Sequence, residues 1–499
     1  MNPALMTTSP TASTASTAST PGTYGISALG RNLLLRTDSY KVSHWKQYPP
    51  GTETVFSYIE SRGGAFTHSV FFGLQAHLRE YLRTPVTRED VEEAADIFAL
   101  HGEPFNREGW LRLVEKHGGR LPLRIRAVAE GSVVPAHNVL ATVENTDPEF
   151  FWLTSWMETE LLRAIWYPTT VATISAAAKA TILAYLEATG EDPAGQIGFK
   201  LHDFGARGVS SMESAALGGM AHLVNFQGTD TLMALVGARR WYDCAMAGFS
   251  IPAAEHSTIT GWGRAHEADA YRNMVAQFGR PGATFAVVSD SYDIFNACDQ
   301  IWGRELKELV EQSGATLVIR PDSGDPAATV LKVTQILAAR FGTTTNRKGY
   351  RVLKTVRIIQ GDGIDLRSLR LCLSNLKLNG FSADNIAFGM GGGLLQQCNR
   401  DTMQFAMKCS AMQVGGDWRE VYKSPVGDSG KASKKGRLTL AGSQATGWRT
   451  VRTDEGETPT DDALETVFEN GAILRSQSFG DVRERAAAGL RRLADGLPV

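Results

Sequence analysis

The sequence predicts an α/β fold in which short parallel strands alternate with helices, on three observations. Four runs rich in Val, Ile, Phe or Thr are nearly continuously apolar, as expected of strands buried on both faces of a parallel sheet. A helical stretch follows most of them, and the repeat of about 30 to 40 residues fits a strand–helix unit. Asp, Arg or Gly follows each run, at the strand ends where a strand–helix barrel carries its active site. The runs cover residues 284–289, 316–319, 356–360 and 385–388.

The segments on either side of this repeat mix strands and helices. Before it, strands are expected at 54–59, 123–133 and 139–143, and a helix at 72–82. A long apolar helix is expected over 152–186, with Pro168 breaking or kinking it. After residue 400, strands are expected at 438–440, 448–451 and 466–468, and a charged helix at 482–493. This last region is also expected to be basic and rich in loops; its cations are Lys408, Lys423, Lys431, Lys434, Lys435 and Arg437.

Length and composition limit the classes of protein to which the chain can belong. Its 499 residues favour two closely joined domains. The formal net charge of -2 gives no overall field that would attract nucleic acid. No apolar run reaches the roughly 18 residues that span a bilayer. We therefore expect neither nucleic acid nor a membrane as a partner.

The cysteines and the N-terminal segment bear on the cellular compartment. The chain has five cysteines, an odd number, and no pair has Cys-x-x-Cys spacing. This disfavours a disulfide framework and a zinc site and predicts a reducing cytoplasm. Residues 1–30 contain no Lys, Arg, Asp or Glu, so the positive start of a secretory signal is missing. Their Thr-Ala-Ser repeat predicts a disordered tail.

A glycine-rich string at 389–393 is the first candidate for binding chemistry. Gly391 and Gly392 follow a predicted buried strand, and a helix is expected to begin there. Glycine lets backbone N–H groups turn inward and a helix N-terminus adds partial positive charge, so the string suits a phosphate. It matches neither the dinucleotide-binding nor the Walker A pattern, and a flexible turn is the alternative interpretation.

Two further strand ends carry charged residues beside glycine or proline. Arg320 and Asp322 follow the strand at 316–319, and Gly361 and Asp362 follow the strand at 356–360. Each string forms at least a turn. In the functional interpretation, the arginine faces a phosphate or a polarised carbonyl, and the carboxylates accept hydrogen bonds from ribose hydroxyls.

A histidine and an aromatic residue complete the candidates. His256 lies beside Glu255 and small hydroxyl residues, so its imidazole is a candidate base or a candidate nucleophile toward a phosphoryl group. A structural or solvated histidine is the commoner case. Asp290 could supply a carboxylate that orients the ring. Phe204 stands near Arg207, which places an aromatic face beside a cation, although core packing is the alternative for Phe204.

Taken together and in order, these strings resemble those of the nicotinamide phosphoribosyltransferase family, over about residues 33–478. The strings that carry the resemblance, besides those around His256 and at the strand ends, are Thr-Asp-Ser-Tyr-Lys at 37–41, Lys-Gln-Tyr-Pro-Pro at 46–50, Lys-Leu-His-Asp-Phe-Gly at 200–205, His-Leu-Val-Asn-Phe at 222–226, Gly-Thr-Asp-Thr at 228–231, Val-Val-Ser-Asp-Ser-Tyr-Asp at 287–293 and Ser-Lys-Lys-Gly-Arg at 433–437. The resemblance implies an enzyme of NAD salvage. It would transfer the phosphoribosyl group of 5-phosphoribosyl 1-pyrophosphate to nicotinamide, releasing pyrophosphate and nicotinamide mononucleotide.

The resemblance also implies an architecture and an assembly. It implies an irregular, TIM-like strand–helix barrel at 171–394, and a β-rich second domain built from 31–170 and 395–485, after the tail at 1–30. Two copies would form a cytoplasmic homodimer with active sites shared across the interface. The implied cofactors are ATP, as phosphoryl donor, and Mg²⁺, which the phosphates would carry.

For substrate binding, the resemblance assigns roles to individual residues. Nicotinamide would stack between Phe204 and Tyr40 of the second copy, which suits a flat ring. Asp230 would accept a hydrogen bond from the carboxamide and repel the carboxylate of nicotinate. The other residues implied to bind or border the substrates are Asp38, Arg207, Arg320, Asp322, Gly361, Asp362, Gly391, Gly392, Arg400 and Lys408.

For ATP, the resemblance implies a covalent role for one histidine. His256 would accept a phosphoryl group, with Glu255 and Asp290 supporting it. The residues implied to bind ATP or pyrophosphate are Arg62, His202, Lys423 and Lys431. No side chain is implied as a direct metal ligand, because Mg²⁺ would arrive bound to phosphate oxygens.

Three positions depart from the family pattern. Met390 stands where a Ser is common in the glycine string, and Ala406 stands where a phosphate-contacting Ser is expected. Each removes a hydroxyl contact of the kind that contributes about 0.5–1.5 kcal/mol net. Ala206 replaces an aromatic residue beside Phe204. We expect weaker phosphate binding rather than its loss.

Three other functions remain open at the level of the sequence. A nicotinate phosphoribosyltransferase of the same fold is disfavoured by Asp230, since two carboxylates would face each other. An aldolase or isomerase acting on a sugar phosphate accounts for the glycine string, but not for Asp230, Phe204 and Tyr40 together. An extracellular signalling role is disfavoured by the lack of a signal segment.

Overall fold

The elements below come from a computed structural model, which describes residues 30–424, 433–453 and 458–495. The strands are β1 (Thr52–Ser61), β2 (His68–Val70), β3 (Leu123–Ala127), β4 (Val133–Pro135), β5 (Val139–Asn145), β6 (Leu201–Asp203), β7 (Gly228–Thr229), β8 (Thr284–Val288), β9 (Thr316–Arg320), β10 (Thr343–Thr345), β11 (Arg351–Leu353), β12 (Val356–Gln360), β13 (Ile386–Met390), β14 (Phe405–Val414), β15 (Asp417–Glu420), β16 (Leu438–Ser443), β17 (Gly447–Arg452), β18 (Glu465–Glu469) and β19 (Ala472–Ile473). The predicted tail lies outside the described residues, except for Gly30.

The helices vary from a single turn to nine turns. They are α1 (Leu74–His77), α2 (Arg88–His101), α3 (Arg107–His117), α4 (Leu153–Trp156), α5 (Glu158–Thr189), α6 (Pro193–Gln196), α7 (Met212–Leu223), α8 (Leu232–Tyr242), α9 (His256–Thr260), α10 (Glu267–Phe278), α11 (Ile294–Asn296), α12 (Lys307–Ser313), α13 (Pro326–Phe341), α14 (Leu366–Leu378), α15 (Gly392–Leu395) and α16 (Phe479–Asp495). Wider π-helical turns cover Leu78–Leu82 and Ala297–Glu305, and a 3-10 helix covers Ser39–Lys46.

A six-stranded parallel sheet carries the apolar runs of the sequence. Its order is β7-β6-β13-β12-β9-β8, and every neighbouring pair is parallel. The four runs predicted as buried strands are β8, β9, β12 and β13, so the α/β prediction is confirmed. Because the strands run in one direction, their carboxyl ends meet at one edge of the sheet.

A short segment after α8 lies between the two outer strands of this sheet. Phe249 makes a parallel bridge to Gly228 on β7, and Ala253 makes a parallel bridge to Ala286 on β8. The backbone N–H of Ala254 donates to the carbonyl of Ala286 at 2.9 Å. The same segment therefore contacts both outer strands, while the closed TIM-like barrel stays a prediction.

The helices after β9 and β12 begin at residues that suit a helix N-terminus. The carboxylate of Asp325 accepts from the N–H of Ala328 at 2.8 Å, and Pro326 occupies the first helical position of α13. Asp365 caps α14 in the same way, by accepting from the N–H of Ser368 at 2.7 Å. Both caps follow directly after the strand ends, so the chain turns away from the sheet at a fixed place.

A seven-stranded antiparallel sheet combines the two ends of the chain. Its order is β15-β14-β1-β5-β3-β18-β19. The strands predicted at 54–59, 139–143 and 466–468 belong to it, whereas the strand predicted at 123–133 divides into β3 and β4. Lys408 belongs to the region expected to be rich in loops, and it lies on the long strand β14, paired with Tyr58 of β1. The strands predicted at 438–440 and 448–451 form the hairpin β16–β17.

Helix α5 crosses the structure and corrects one prediction. The helix runs through Pro168, where a break or kink was expected, and the interruption falls instead at Met157, between α4 and α5. Pro168 fits because Gly73 faces it: a Cβ at Gly73 would overlap the proline ring. The domain boundary expected at residue 170 falls within this helix, and the division into domains remains a prediction.

Helix α5 is also long and apolar enough, by length and composition, to cross a membrane. Of its most apolar window, 72% is buried inside the protein, as in the core helix of a globular protein. Two hydroxyls of α5 accept hydrogen bonds from the backbone at and just after β2. Thr173 accepts from the N–H of Val70 at 3.0 Å, and Thr169 accepts from the N–H of Phe72 at 3.2 Å.

Candidate active site

The carboxyl ends of the parallel strands surround a cavity of about 820 Å³. The predicted site residues that line it are Phe204, Arg207, Asp230, Arg320, Asp322, Gly361, Asp362, Gly391 and Gly392. They come from five separate stretches of sequence. The parallel register of the sheet therefore brings together the strand-end strings that the sequence analysis selected.

The ring of Phe204 lies across the ends of β12 and β13. Its backbone N–H donates to the carbonyl of Met390 at 3.1 Å, which extends the pairing of β6 with β13 by one residue. A Cβ at Gly389 would overlap the ring, and a Cβ at Gly361 would lie 3.1 Å from it. The two glycines thus leave the space that the ring occupies, with part of the ring exposed to the cavity.

Asp203 and Ser250 hold the residues around this ring and were missed in the sequence. The buried carboxylate of Asp203 accepts from the N–H of Gly205 at 2.7 Å, which fixes the turn after Phe204. Ser250 donates to Asp230 Oδ1 at 2.6 Å. A strand-end position gave a signal for Asp203. No local signal marks Ser250, because the irregular segment after α8 brings it to the site.

The glycine string differs from its prediction in two respects. Strand β13 continues through Met390, and the following helix α15 has only four residues, Gly392–Leu395. The N–H groups of Leu394 and Leu395 donate to the Gly391 carbonyl, so those of Gly392 and Gly393 are the ones that can bind an anion, although one turn adds little helix dipole. The Met390 side chain is fully buried in the core, so the predicted loss of a hydroxyl contact there does not concern the cavity.

His256 lies at the rim of the same group of strand ends, with a carboxylate on each side. Its Nε2 is 3.0 Å from Asp290 Oδ1, and its Nδ1 is 3.9 Å from Asp322 Oδ2. The other oxygen of Asp290 accepts from Ser323 Oγ at 2.6 Å. In the neutral ring, an Nε2–H that donates to the Asp290 carboxylate leaves the lone pair on Nδ1. His256 is 45% exposed on its side chain, which leaves the ring accessible.

Asp322 and Arg320 form a partly buried pair that faces the cavity. Arg320 lies 3.6 Å from Asp322 Oδ2. Burial raises the pKa of Asp322, the Arg320 guanidinium opposes this effect, and the Asp290 carboxylate adds to it. Within the described residues, Arg320 Nε is buried without a hydrogen-bond partner. This donor is therefore available to an anionic ligand.

Two further predicted residues of this region, like His256 and Asp290, are not among the residues that line the cavity. Glu255 caps the short helix α9 and accepts from Ser257 Oγ, and no contact with the His256 imidazole is seen in the described residues. His202 bonds to the carbonyl of Phe199 at 3.2 Å. Burial lowers the pKa of His202, against the effect of the Asp230 carboxylate, and favours the neutral ring. A neutral ring is a weak partner for phosphate.

Five other predicted residues lie together elsewhere, near the start of α5. Tyr40 is 57% exposed, and Asp38 accepts from Thr159 Oγ1 at 2.6 Å. Burial lowers the pKa of Lys408, the Glu158 carboxylate opposes this, and the nearby cations Arg62 and Arg400 add to it. We call these residues the N-terminal group; its members are Asp38, Tyr40, Arg62, Arg400 and Lys408. None of them lines the cavity of about 820 Å³.

Two members of the N-terminal group already form ion pairs with carboxylates of their own chain. Arg62 Nε donates to Glu60 Oε1 at 2.8 Å, and Arg400 pairs with Asp401 at 3.1 Å. Ala406 lies opposite Glu60 in the β1–β14 register. Ala206, by contrast, is an exposed residue of the cavity wall. Lys423 is exposed, and Lys431 lies outside the described residues.

The described residues also bear on the predictions about metal ligands and cysteines. Among the residues placed by the structure, no group of three His, Cys, Asp or Glu side chains lies together in a way that could hold a metal ion. The five cysteines are free thiols. Carboxylate oxygens that would suit Mg²⁺ do line the cavity, on Asp322 and Asp362.

Comparison with known proteins agrees with this fold. Residues 199–472 match the nicotinate phosphoribosyltransferase (NAPRTase) family, and residues 32–125 match the nicotinamide phosphoribosyltransferase N-terminal domain. The chain is 58% identical to a nicotinamide phosphoribosyltransferase of Xanthomonas campestris pv. campestris, over 92% of this chain and 98% of that one. It is 31% identical to a nicotinamide phosphoribosyltransferase of Acinetobacter baylyi, over 93% and 99%.

Two solved structures share the fold at low sequence identity. A nicotinate-nucleotide pyrophosphorylase from Pyrococcus furiosus aligns with a TM-score of 0.58 at 15% identity, over 93% of this chain and 96% of that one. Human nicotinic acid phosphoribosyltransferase aligns with a TM-score of 0.54 at 18% identity, over 91% and 94%. At this identity the likeness concerns the fold alone.

The family match and the named relatives identify an enzyme that transfers phosphoribosyl groups. The chain belongs to the nicotinate phosphoribosyltransferase family, and over nearly its whole length it is similar to members named nicotinamide phosphoribosyltransferase. The resemblance inferred from the sequence strings is thereby confirmed.

Replacing Arg320 tests the electrostatics of the Asp322 pair. In Arg320→Gln, we expect the pKa of Asp322 to rise further, because Arg320 supplies the largest effect that opposes burial. Titration of the carboxyl ¹³C chemical shift in labelled protein measures this. Arg400→Gln is the matched control, since Arg400 is not among the charges that act on Asp322. A fall in the Asp322 pKa in Arg320→Gln would contradict the assignment.

Proposed function

We propose that the protein transfers the phosphoribosyl group of 5-phosphoribosyl 1-pyrophosphate to nicotinamide, forming nicotinamide mononucleotide and pyrophosphate for NAD salvage. The observation that carries the proposal is one cavity that combines an aromatic face, a carboxylate and a glycine turn, on Phe204, Asp230 and Gly391. The names of relatives at 58% and 31% identity support the same reaction.

Nicotinamide would lie on the exposed face of Phe204 with its carboxamide toward Asp230. Ser250 already donates to one oxygen of this carboxylate, which leaves the other free for the carboxamide N–H₂. Nicotinate carries a carboxylate where nicotinamide carries the amide. The like charges would repel each other, so Asp230 favours nicotinamide by disfavouring its competitor.

The phosphoribosyl group would occupy the cavity beyond the ring. Asp322 and Asp362 would offer acceptors for ribose hydroxyls, and the N–H groups around Gly391 and Gly392 would donate to the 5′-phosphate. In the reaction, the pyridine nitrogen bonds to ribose C1 as the bond from C1 to the pyrophosphate oxygen breaks. Arg320, with its unpaired buried Nε, would stabilise the negative charge of the leaving group. Holding the pyridine nitrogen in line with the breaking bond at ribose C1 lowers the activation barrier further, because the reacting atoms are already positioned.

Magnesium would be bound together with the pyrophosphate group. The carboxylate oxygens of Asp322 and Asp362 are the type of ligand that Mg²⁺ prefers, directly or through retained water. The ion would supply neutralisation of charge on the leaving pyrophosphate. The residues named above position the sugar and the ring whether or not these carboxylates contact the metal.

ATP would act through His256. Since Asp290 holds the proton on Nε2, the nucleophile toward the γ-phosphoryl group is Nδ1, and ADP leaves as the Nδ1–P bond forms. The carboxylate of Asp290 stabilises the positive charge that the phosphorylated ring carries. A phosphoryl group on Nδ1 would stand next to Asp322 and Arg320, at the pyrophosphate end of the cavity.

The N-terminal group would complete the site from a second copy of the chain, in a cytoplasmic homodimer. Tyr40 is exposed and lies outside the cavity of its own chain, so it is available to cover a ring on Phe204 of another copy. The cations Arg400 and Lys408 lie near it and would approach the phosphates from the same side. The parallel sheet would close into an irregular barrel, with the segment around Phe249 between its outer strands.

Replacing Asp230 tests the choice of substrate. The protein should use nicotinamide with a far higher kcat/KM than nicotinate, and Asp230→Asn should reduce this preference by about 10- to 100-fold, because a like-charge contact is removed. Product formation is measured with each base and 5-phosphoribosyl 1-pyrophosphate. Asp243→Asn is the control, an exposed carboxylate outside the cavity. Preference for nicotinate in the unmodified protein would overturn the proposal.

Replacing His256 tests the role of ATP. Incubation with γ-³²P-ATP should place an acid-labile label on the protein, and ATP should lower the KM for 5-phosphoribosyl 1-pyrophosphate. Both effects should vanish in His256→Ala. His266→Ala is the matched control, because His266 is exposed and has its own carboxylate partner, Asp269, at 2.9 Å. Label that persists in His256→Ala would exclude this residue as the acceptor.

Mixing two inactive variants tests the shared site. Tyr40→Ala and Phe204→Ala should each be strongly impaired as homodimers. After unfolding and refolding together, half of the dimers are mixed, and each mixed dimer regains one intact site, so about a quarter of the activity should return. Tyr40→Ala refolded with itself is the control. No recovery in mixtures shown by mass spectrometry to contain mixed dimers would contradict the exchange of Tyr40.

A further inference from the structure

A second cavity, of about 380 Å³, lies behind the wall of the proposed active site. Its volume falls within the roughly 300–1,000 Å³ that small-molecule sites enclose. Helix α5, the start of α7 and the turn that contains Tyr81 form its sides. The proposed reaction uses none of these groups.

The polar groups of this cavity are buried and incompletely bonded. The side chains of Glu160 and His77 are 2% and 6% exposed, and both line the cavity. Glu160 Oε2 lies 2.9 Å from Arg36 Nε and 3.6 Å from His77 Nε2. Arg163 lies 3.5 Å from Glu160 Oε1, so each carboxylate oxygen has a cation nearby, but within the described residues neither oxygen nor His77 Nε2 has a hydrogen bond of acceptable geometry. Buried polar groups normally have hydrogen-bond partners, so these atoms are placed for those of a ligand.

The charges of the cavity compensate each other. Arg36 lies 2.9 Å from Glu160 and 3.9 Å from Glu213, Arg163 lies 3.5 Å from Glu160, and Arg240 holds Glu80 at 2.7 Å, so three guanidinium groups face three carboxylates. Burial and the nearby Arg36 lower the pKa of His77 to about 3, which makes its ring neutral. A charged ligand would add an uncompensated charge to this set at a high desolvation cost. The cavity therefore suits a ligand without net charge.

The apolar lining suits a flat ligand. Aromatic side chains of Tyr81, Trp166, Tyr167 and Trp241 contribute to the walls, together with small residues such as Ala164. The Arg36 guanidinium already stacks on the Tyr81 ring, 3.6 Å from its centre. Aromatic walls bind planar groups by stacking and edge contacts. An amide group on such a ligand would donate to Glu160 and exchange a hydrogen bond with His77.

The two cavities share structural elements. Gly208 and Gln396 line the second cavity, and their neighbours Arg207 and Gln397 line the first. A Cβ at Gly208 would collide with the Gln396 side chain, so these two segments are in contact. Tyr167 ties them to α5, because its hydroxyl donates to the carbonyl of Leu395 at 3.1 Å. A ligand among these groups would bear on the turn after Phe204 and on the end of the glycine string.

We propose that this second cavity binds a neutral, planar aromatic carboxamide, and that its occupancy changes the affinity of the neighbouring cavity for the phosphoribosyl substrate. Binding in the second cavity does not depend on the proposed reaction. The coupling does rest on the proposed function, because it requires the first cavity to bind the phosphoribosyl substrate.

The first experiment uses 4-fluorobenzamide, which cannot accept a phosphoribosyl group because it lacks the pyridine nitrogen. By ¹⁹F NMR and calorimetry, the unmodified protein should bind two equivalents per chain. Leu217→Trp, which fills the second cavity, and Glu160→Gln should each weaken one of them by at least about tenfold. Phe204→Ala should weaken the other. Leu378→Trp, at a residue 80% exposed, is the control for the added tryptophan.

The outcomes separate the two sites. One equivalent in the unmodified protein, lost only in Phe204→Ala, would overturn the second site and leave the proposed function untouched. If Leu217→Trp does not fold, Glu160→Gln decides: unchanged binding of both equivalents would overturn the assignment, and loss of the one that Phe204→Ala retains would establish it.

The second experiment measures the coupling. In Phe204→Ala, 4-fluorobenzamide should occupy only the second cavity. Its saturation should then change the Kd for 5-phosphoribosyl 1-pyrophosphate by at least about threefold, a modest coupling between sites. The same addition should have no effect in the Phe204→Ala, Glu160→Gln double variant. An unchanged Kd in Phe204→Ala would overturn the coupling. An equal change in both variants would show that the effect does not come from the second cavity, which would overturn the coupling as well.

Discussion

The parallel hydrogen bonding of β6, β13, β12, β9 and β8 is the constraint on which the candidate site depends. In this arrangement the strands end at one edge, so side chains that are far apart in sequence meet there. Asp290, Asp322 and Gly361 each follow a different strand, yet His256 contacts the first carboxylate and lies near the second. A shift of one residue in any pairing would turn these side chains to the other face of the sheet. The buried apolar strands therefore fix the geometry of the polar groups.

Close packing, rather than flexibility, explains the glycines of this edge. Gly389 and Gly361 leave the space in which the Phe204 ring lies, and Gly393 approaches the carbonyl of Ile364, where a Cβ would be only 2.8 Å away. The glycine string was predicted to bind phosphate through a helix N-terminus. In the structure it also serves to place an aromatic face, and the helix that follows is a single turn. Binding of the phosphate would rest on the N–H groups of that turn.

Both cavities contain charged side chains, but these charges are paired differently in the two. In the first, Arg320 pairs with Asp322 and His256 Nε2 donates to Asp290, while Arg320 Nε has no hydrogen-bond partner among the described residues. In the second, Arg36 lies between two glutamates, and every carboxylate of the wall has a guanidinium nearby. The first cavity has a free donor for an anion and more carboxylates than guanidinium groups, which suits a phosphate that carries Mg²⁺, whereas the second has no net charge. This difference underlies the different ligands that we propose for them, an anionic sugar phosphate and a neutral amide.

The sequence by itself determined the α/β class, the four buried strands, the strand-end strings and the family, because these depend on local periodicity, turn chemistry and ordered strings of residues. Tertiary structure decided the rest. It placed Ser250 on Asp230 and turned Met390 into the core. It also kept α5 continuous at Pro168, since Gly73 makes room for the proline ring. The Glu255 carboxylate accepts a hydrogen bond from Ser257 instead of contacting the His256 imidazole, and Tyr40 lies outside the cavity of its own chain. Each of these depends on which distant segment packs against the residue, and no pattern within a few positions of sequence carries that information.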